Sequence, residues 1–454
     1  MDYGSKALPQ ALTAAKKGTF AYTTVKDRLP VTITKAIDYL SRFRNELIQR
    51  YTDAINDDLK NSIELLSQLR YELTTDKNLK KITDSGDDAI LWNKALEELE
   101  NMIGEKNCTW FKAPWLFVEC YIYRRIRESM LLCETSLRDY DPFEKSKKES
   151  YELSFNNFCQ LITSLCPLNY HEEKTNENLS KERFRIILEA TLWANKNDLS
   201  LSSGNDVSSK IHNLIDLLES FKTNILCDHT ENLWNFLNEI KLSKTSSNLI
   251  VIDIVLDNCS IEFVSDLILC DFLLRNNFVD KIRLHGKAYS WFISDVTRFD
   301  FDYLILQLQS SNSLVVNNFL KRLNNYLNEE SSLELYFDGM FWTSPYSFDQ
   351  MLKIDPDLYQ FFKESSTLIL FKGDLNYRKL LGDLEWDMSI PLKKAIREFR
   401  PTSLCAIRTV KSDLMANLNI NSHNYIQIIE KFGDSKDWMV TGDYGLIQFV
   451  KNYE

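Results

Sequence analysis

From Pro30 to about Arg70 the chain repeats apolar residues at intervals of three and four, in VTITKAIDYLSRFRNELIQRY and SIELLSQLRYEL, and the spacing returns in PWLFVECYIYRRIRESMLL and RFRIILEATLW. That interval lines apolar side chains along one stripe of an α-helix, so the first half of the chain reads as mainly helical. Two polar stretches, YHEEKTNENLSKER around Glu172 to Arg183 and SLSSGNDVSSK around Ser200 to Lys210, are predicted to be surface loops between helices. No internal repeat and no low-complexity tract is present.

After about Ser246 the pattern changes. Short β-branched and aromatic runs each close on a polar cluster: NLIVIDIVL before Asp257-Asn258, KIRLHG before Lys287, LELYFD before Gly339, TLILF before Lys372-Gly373-Asp374, and SLCAI before Arg408-Thr409. Continuous apolar strands alternating with helices indicate an α/β fold with a largely parallel sheet covered on both faces. The expected division is a mainly helical region over residues 1–240 and an α/β domain over 241–454. Ligands of such sheets bind beyond the carboxyl ends of the strands, which gathers these clusters into one candidate site.

Composition narrows the chemistry. The chain has 454 residues, 44% hydrophobic and 26% charged, with a formal net charge of −11. That is a folded globular composition, and a surface that repels a nucleic-acid backbone. No apolar run reaches the roughly 18 residues of a membrane span, and the opening MDYGSKALPQALTAAKK has no signal-peptide core, so the expectation is a cytoplasmic protein, with the nucleus also open. Nine cysteines include no CxxC pair and are expected to be buried, reduced thiols, while five histidines include no HExxH. A metal, if bound, is expected on oxygen ligands.

Asp257 and Asn258 close a strand and precede SIEFVSDLILCDFLL, where Ser260 is the expected helix N-cap and Ile261, Val264, Leu267 and Ile268 the buried stripe. WFISDVTRFDF sets Asp295 at a second expected strand-to-helix junction. Two carboxylates and an amide leave room for water and a phosphate oxygen, which suits metal-assisted hydrolysis. In FKGDLNYRKL, Lys372 and Gly373 follow a strand directly, and Asp374 and Asn376 add hydrogen-bonding groups; IRTVK supplies Arg408 and Lys411. Each of these residues taken alone is as readily a cap or a solvated charge; their convergence at strand ends is the argument. Asp253, inside VIDIV, reads as a paired or edge-strand carboxylate, and Glu119 with Arg124 as an ion pair on one helix. DIVLD is not the DxD of aspartyl-phosphate enzymes, and no P-loop, GxGxxG or GxSxG motif is present.

Several of these segments together resemble the metal-dependent damage-control phosphatase family: VLDN at Val255 to Asn258, SDVT at Ser294 to Thr297, FKGDLNYRKL at Phe371 to Leu380 and IRTVK at Ile407 to Lys411, with FAYTTVKDRLP, PWLFVECYIYRRI and LWANKNDLSLS upstream. The RTxK element resembles that of the third subfamily, the sugar-phosphate phosphatases also called acidic residue methyltransferase-like proteins. The resemblance implies a Rossmann-like α/β/α sandwich packed against a helical N-terminal region. It implies hydrolysis of small phosphorylated metabolites such as fructose 1-phosphate and fructose 6-phosphate, supported by Mn²⁺ or Ni²⁺, with Co²⁺ or Mg²⁺ as further candidates. Carried over by motif, Asp257, Asn258 and Asp295 hold the metal and form the catalytic centre. Lys372, Gly373, Asp374, Leu375, Asn376, Arg408 and Lys411 hold the substrate, and Asn195 and Asp198 reach it from the helical part. The same resemblance leaves a carboxyl methyltransferase using S-adenosylmethionine as an alternative, unsupported by any glycine-rich strand-turn-helix, and a non-catalytic binding protein as another. Oligomeric state is left open.

Overall fold

The computed structural model describes residues 8–51, 55–166, 176–194, 196, 207–245 and 248–452, with the backbone alone for 207–212. Its centre is a seven-stranded sheet in the order β1-β7-β6-β5-β2-β3-β4. The strands are β1 Ile225–Asp228, β2 Val251–Val255, β3 Lys281–His285, β4 Leu333–Tyr336, β5 Leu368–Lys372, β6 Ser403–Thr409 and β7 Gly445–Val450. All neighbours pair in parallel except β6 and β7. Every residue of β2 and β5 is buried, which is why these central strands read as continuous apolar runs, whereas β4 at the edge is half-exposed.

Side-chain alternation divides the sheet between two cores. Leu368 and Leu370 of β5 pack with Phe184, Leu188, Phe263 and Leu267, from the Glu177–Trp193 and Ile261–Arg275 helices. Ile369 and Phe371 pack on the other face with Trp115 and Tyr377, from the Trp115–Leu131 and Gly373–Leu381 helices. The molecule is therefore an α/β/α sandwich. Buried residues between 12 and 143 share one core with the sheet, those between 151 and 237 share the other apart from Leu226 and Cys227 of β1, which face the first, and β1 lies within the first 240 residues.

Chain direction defines where a ligand belongs. From β2 the chain crosses to β3 on one side, and from β5 it crosses to β6 on the other, over helices that lie on opposite faces. The gap between β2 and β5 is thus the point where strand order reverses, the usual binding crevice of an open α/β sheet.

Several local expectations change. The Ile261–Arg275 helix is buried on all sides from Glu262 to Leu274, so no single stripe distinguishes it, and Ser260 sits at its start with φ 68° and no side-chain cap. Residues Glu177–Arg183 and Val207–Lys210, expected in loops, are helical because helix propensity and the packed face beyond them outweigh their polar composition. Eight of the nine cysteines are buried and Cys159 is partly exposed. No helix among the described residues is long and apolar enough to cross a membrane.

Candidate active site

Register sets the geometry of the crevice. Val255 of β2 lies opposite Phe371 of β5, so two residues further on Asp257 faces Gly373. Gly373 has φ 84°, and a Cβ there would fall 1.9 Å from Oδ2 of Asp257. Only glycine lets the carboxylate rest against the first turn of the following helix. Gly373→Ala is expected to destabilise the fold by about 1–3 kcal/mol through strain and to lower kcat/KM through displacement of Asp257; chemical denaturation and steady-state kinetics on one preparation check both.

Asp295 arrives by a different route from the expected one. Instead of ending a strand, it lies in a turn-rich segment ten residues beyond β3. Backbone pairing brings it in: Cys259 N–H donates to Ser294 O at 2.7 Å and Val296 N–H to Asp257 O at 2.8 Å, bridging Asn258 with Asp295. Phe292 and Ile293 leading into it have φ 46° and 68°, unusual for bulky side chains and a local concentration of strain beside the site. Asn258 accepts from Ser294 Oγ at 2.6 Å and donates to Asp257 Oδ2 at 2.7 Å and Glu262 Oε2 at 3.2 Å.

The electrostatics of the cluster are short of positive charge. Burial, then the charges of Glu262 and Asp295, holds the Asp257 carboxyl well above the usual carboxylate range. Asp295 is pushed up to about 6, by burial first, against the pull of the Lys287 ammonium 3.1 Å from Oδ2. That oxygen is buried and makes no hydrogen bond of good geometry among the described residues. Among the described residues no group of three or more His, Cys, Asp or Glu side chains converges on a metal position. The donors that do meet are two carboxylates and an amide, all oxygen at the coordinating atom, and the surplus negative charge fits a hard divalent cation.

Around them lies a cleft of about 250 Å³, lined by Asp257, Asn258, Ser294, Asp295, Asp374, Leu375, Thr409 and Lys411, with Phe20, Arg28, Trp115, Glu119, Phe292 and Arg378 closing the far side. Its size is at or below the small end of ligand pockets, roughly 300–1,000 Å³, and suits a small metabolite. Asp374 and Leu375 place the first turn of the Gly373–Leu381 helix on the wall, where backbone N–H groups favour an anion. The Lys411 ammonium makes no hydrogen bond or ion pair with any described residue and acts electrostatically on Asp257.

Three expected substrate ligands turn away from this cleft. Lys372 follows Leu368 and Leu370 onto the opposite face, where its buried ammonium donates to Asp266 at 2.7 Å and Thr191 O at 3.1 Å, with Glu262 3.5 Å away. The Asn376 amide donates to the carbonyls of Val255, Leu256 and Lys372 and holds the ends of β2 and β5 to the helix. Arg408 is fully buried; it bonds Asp374 at 2.7 Å, Leu414 O at 2.6 Å and Ser412 Oγ at 2.7 Å, and stacks on Tyr377. Gly373, Asp374, Leu375 and Lys411 do meet Asp257, Asn258 and Asp295. Asn195 and Asp198 lie outside the described residues, although Ala194 and Lys196 line a neighbouring cleft of about 460 Å³ that shares Asn258 and Ser294 with the first.

Glu119 pairs with Arg378, not Arg124, which bonds Asp84 at 2.6 Å and Asp88 at 2.9 Å. Five residues along a helix are about 140° apart, so the two side chains leave opposite sides. Arg378 also bonds Asp383 at 2.8 Å and stacks 3.5 Å from the Trp115 ring. Asp253 is the paired carboxylate expected, held by Arg283 at 2.6 Å and His285 at 2.7 Å. Phe20, Arg28, Trp115 and Phe292 lie within segments read from the sequence but are not singled out there as site residues; they reach the cleft from the helical layer and from the strained loop.

A largely parallel sheet with an acidic, oxygen-lined crevice at its reversal point, a helix N-terminus and a lysine uncommitted among the described residues is an arrangement suited to a phosphate group. Comparison gives the family. Residues 24–424 match the family model described as "Damage-control phosphatase ARMT1-like domain". The chain is 37% identical over 443 residues to Damage-control phosphatase ARMT1 of Bos taurus, covering 97% of this chain and 98% of the relative. It is 38% identical over 444 residues to the Mus musculus protein of that name, covering 97% and 98%, and 37% identical over 445 residues to the Homo sapiens one, with the same coverage. Among solved structures, a DUF89 family protein from Pyrococcus horikoshii aligns with TM-score 0.38 and 16% identity over 74% of this chain and 86% of that one. The chain belongs to the ARMT1-like damage-control phosphatase family, and it is a phosphatase.

Proposed function

We propose that this phosphatase is divalent-metal-dependent and acts on small sugar phosphates, with fructose 1-phosphate and fructose 6-phosphate as the first substrates to test. The observation that carries the reading is the pairing of buried Asp257, which has no ion pair among the described residues, with buried Asp295, which has the single cation Lys287, set against the Gly373 helix N-terminus. Asp257, Asn258 and Asp295 would hold the cation, whose chemistry is to polarise the phosphoryl oxygen and acidify the attacking water. The residues of the chain do the rest. N–H groups at Asp374 and Leu375 and the Lys411 ammonium orient the phosphate and stabilise charge as it grows on the transferring oxygens. Asp374 faces the same wall as a carboxylate, held below the usual range; burial alone would raise it, and Arg408 and Arg378 outweigh burial. Its role is to fix the Lys411 backbone, whose N–H it accepts at 3.1 Å. Phe20, Trp115 and Phe292 give the esterified part an apolar wall, with the exposed Arg28 beside it for hydroxyl groups.

A panel of sugar phosphates assayed with the metal-loaded protein tests the substrate class. Release of phosphate from hexose phosphates well above that from nucleotides and phosphopeptides supports it; equal release from all, or from none, counts against it. Within the panel, Lys411→Ala is expected to lower kcat/KM about ten- to a hundredfold, the equivalent of losing one charge-assisted hydrogen bond of about 1.5–3 kcal/mol. Its metal content should equal that of the parent, since an ammonium cannot ligate a cation.

A further inference from the structure

We propose that Cys227 is a reactive thiol, activated by His229 and open to small neutral electrophiles such as hydrogen peroxide, on the edge strand β1, with β7 and β6 between it and the crevice at β5. The two places are separated across the sheet and not along it: β1 is the edge strand beyond β7 and β6, and register sets Cys227 opposite Leu446, which itself lies opposite Arg408 of β6. There His229 follows the strand by one residue, and its Nε2 lies 3.4 Å from Cys227 Sγ. The imidazole is oriented from behind: Nδ1 is 3.2 Å from Phe449 O and 3.1 Å from Phe449 N. A third element contributes Asn417, in the left-handed region with φ 60°, whose Nδ2 donates to the same sulfur at 3.6 Å.

A sulfur with a base on one side and an amide donor on the other, the base itself held by backbone, is the arrangement that converts a thiol into a nucleophile. His229 and Asn417 form part of the wall of a cavity of about 490 Å³, with Leu392, Lys393, Glu239 and Lys451 around it. Both partners of the sulfur therefore face a space large enough for a small electrophile. The hydrogen bond to Cys227 is the first cause of a raised imidazole pKa, ahead of burial, which lowers it, with the Asp228 charge adding to the rise.

With peroxide, the Cys227 proton passes to His229 Nε2 and the sulfur attacks one peroxide oxygen. The S–O bond forms as the O–O bond breaks, and the departing hydroxide takes the proton from His229 to leave as water. Sulfur is oxidised to the sulfenic acid and the peroxide is reduced.

Iodoacetamide labelling of the native full-length chain, followed by peptide mass spectrometry over time, tests the assignment without any need for substrate. Cys159 is the most exposed cysteine, so exposure alone predicts that it reacts first. The dyad predicts that Cys227 reacts first, that His229→Gln slows it about tenfold with the Cys159 rate unchanged, and that prior peroxide blocks Cys227 selectively. Asn417→Ala, expected to slow Cys227 to a smaller degree, serves as the second variant should the first fail to fold. Cys159 reacting ahead of Cys227, or a Cys227 rate untouched by either substitution in a folded protein, overturns the proposal.

Discussion

Asp257→Ala is expected to abolish phosphatase turnover while leaving a folded protein at least as stable as the parent in the presence of a chelator. Losing a cation that polarises the phosphoryl group removes several kcal/mol of transition-state stabilisation, about a thousandfold or more in rate. Stability moves the other way because Asp257 is buried, repelled by Glu262 and Asp295, and has no ion pair within 4 Å among the described residues. Asp295→Ala should be equally inactive but less stable. Its removal leaves the buried Lys287 ammonium, among the described residues, with only the Leu256 carbonyl, and an uncompensated buried charge costs about 3–5 kcal/mol. Phosphate release and thermal melting of both variants with and without metal check the pair. Equal activity in either variant, or a marked destabilisation by Asp257→Ala alone, contradicts the assignment.

Arg408→Ala is expected to be among the most destabilising single changes in the α/β core, about 3–5 kcal/mol at neutral pH. Arg408 is fully buried and joins Asp374 to the carbonyls and hydroxyl of Ser412 and Leu414, so its loss takes the ion pair from a buried carboxylate, which keeps only neutral donors, and the guanidinium donors from two backbone acceptors. The pH dependence follows from Asp374. Its folded pKa is depressed, so in the parent it contributes stability above the unfolded carboxylate pKa of about 4, and that contribution is lost as pH falls through the folded value. In Arg408→Ala the larger of the two supporting charges is gone and Arg378 remains, protonation of Asp374 becomes easier, and the gap between parent and variant narrows as pH falls below about 4. Denaturant titrations at pH 7 and at about pH 3, below the unfolded carboxylate pKa, measure it; a gap that widens in acid contradicts the role given to Arg408.

What the sequence discloses depends on whether a feature is local. β2 through β6 were legible because buried parallel strands leave continuous apolar runs, each closing on polar residues. β1 was not, being four residues long after a helix, nor was β7, where Gln448 interrupts the apolar run and is buried against Ala416 O and Tyr377 Oη. Asp257 and Gly373 were legible as strand-end residues, and register confirms why they meet. Asp295 was legible as a residue but not in its setting, since two backbone hydrogen bonds between distant loops place it. The direction of Lys372 is a matter of strand alternation: one position earlier or later the ammonium would face the cleft, and at 372 it faces Asp266. Glu119, Arg378 and Arg28 come together from three segments more than 85 residues apart. No periodicity or spacing carries that information.

The claim at the centre of this account, that the crevice between β2 and β5 works through a divalent cation on Asp257, Asn258 and Asp295, is tested most directly by one titration. The protein is stripped by chelation, and phosphate release from fructose 1-phosphate is followed as Mn²⁺ is added back, with bound metal counted in the same samples. The account predicts no release without metal, and release that rises with occupancy to a plateau at one ion per chain and is absent in Asp257→Ala. Full release from the stripped protein, or a rise in activity that Asp257→Ala shares, would contradict it.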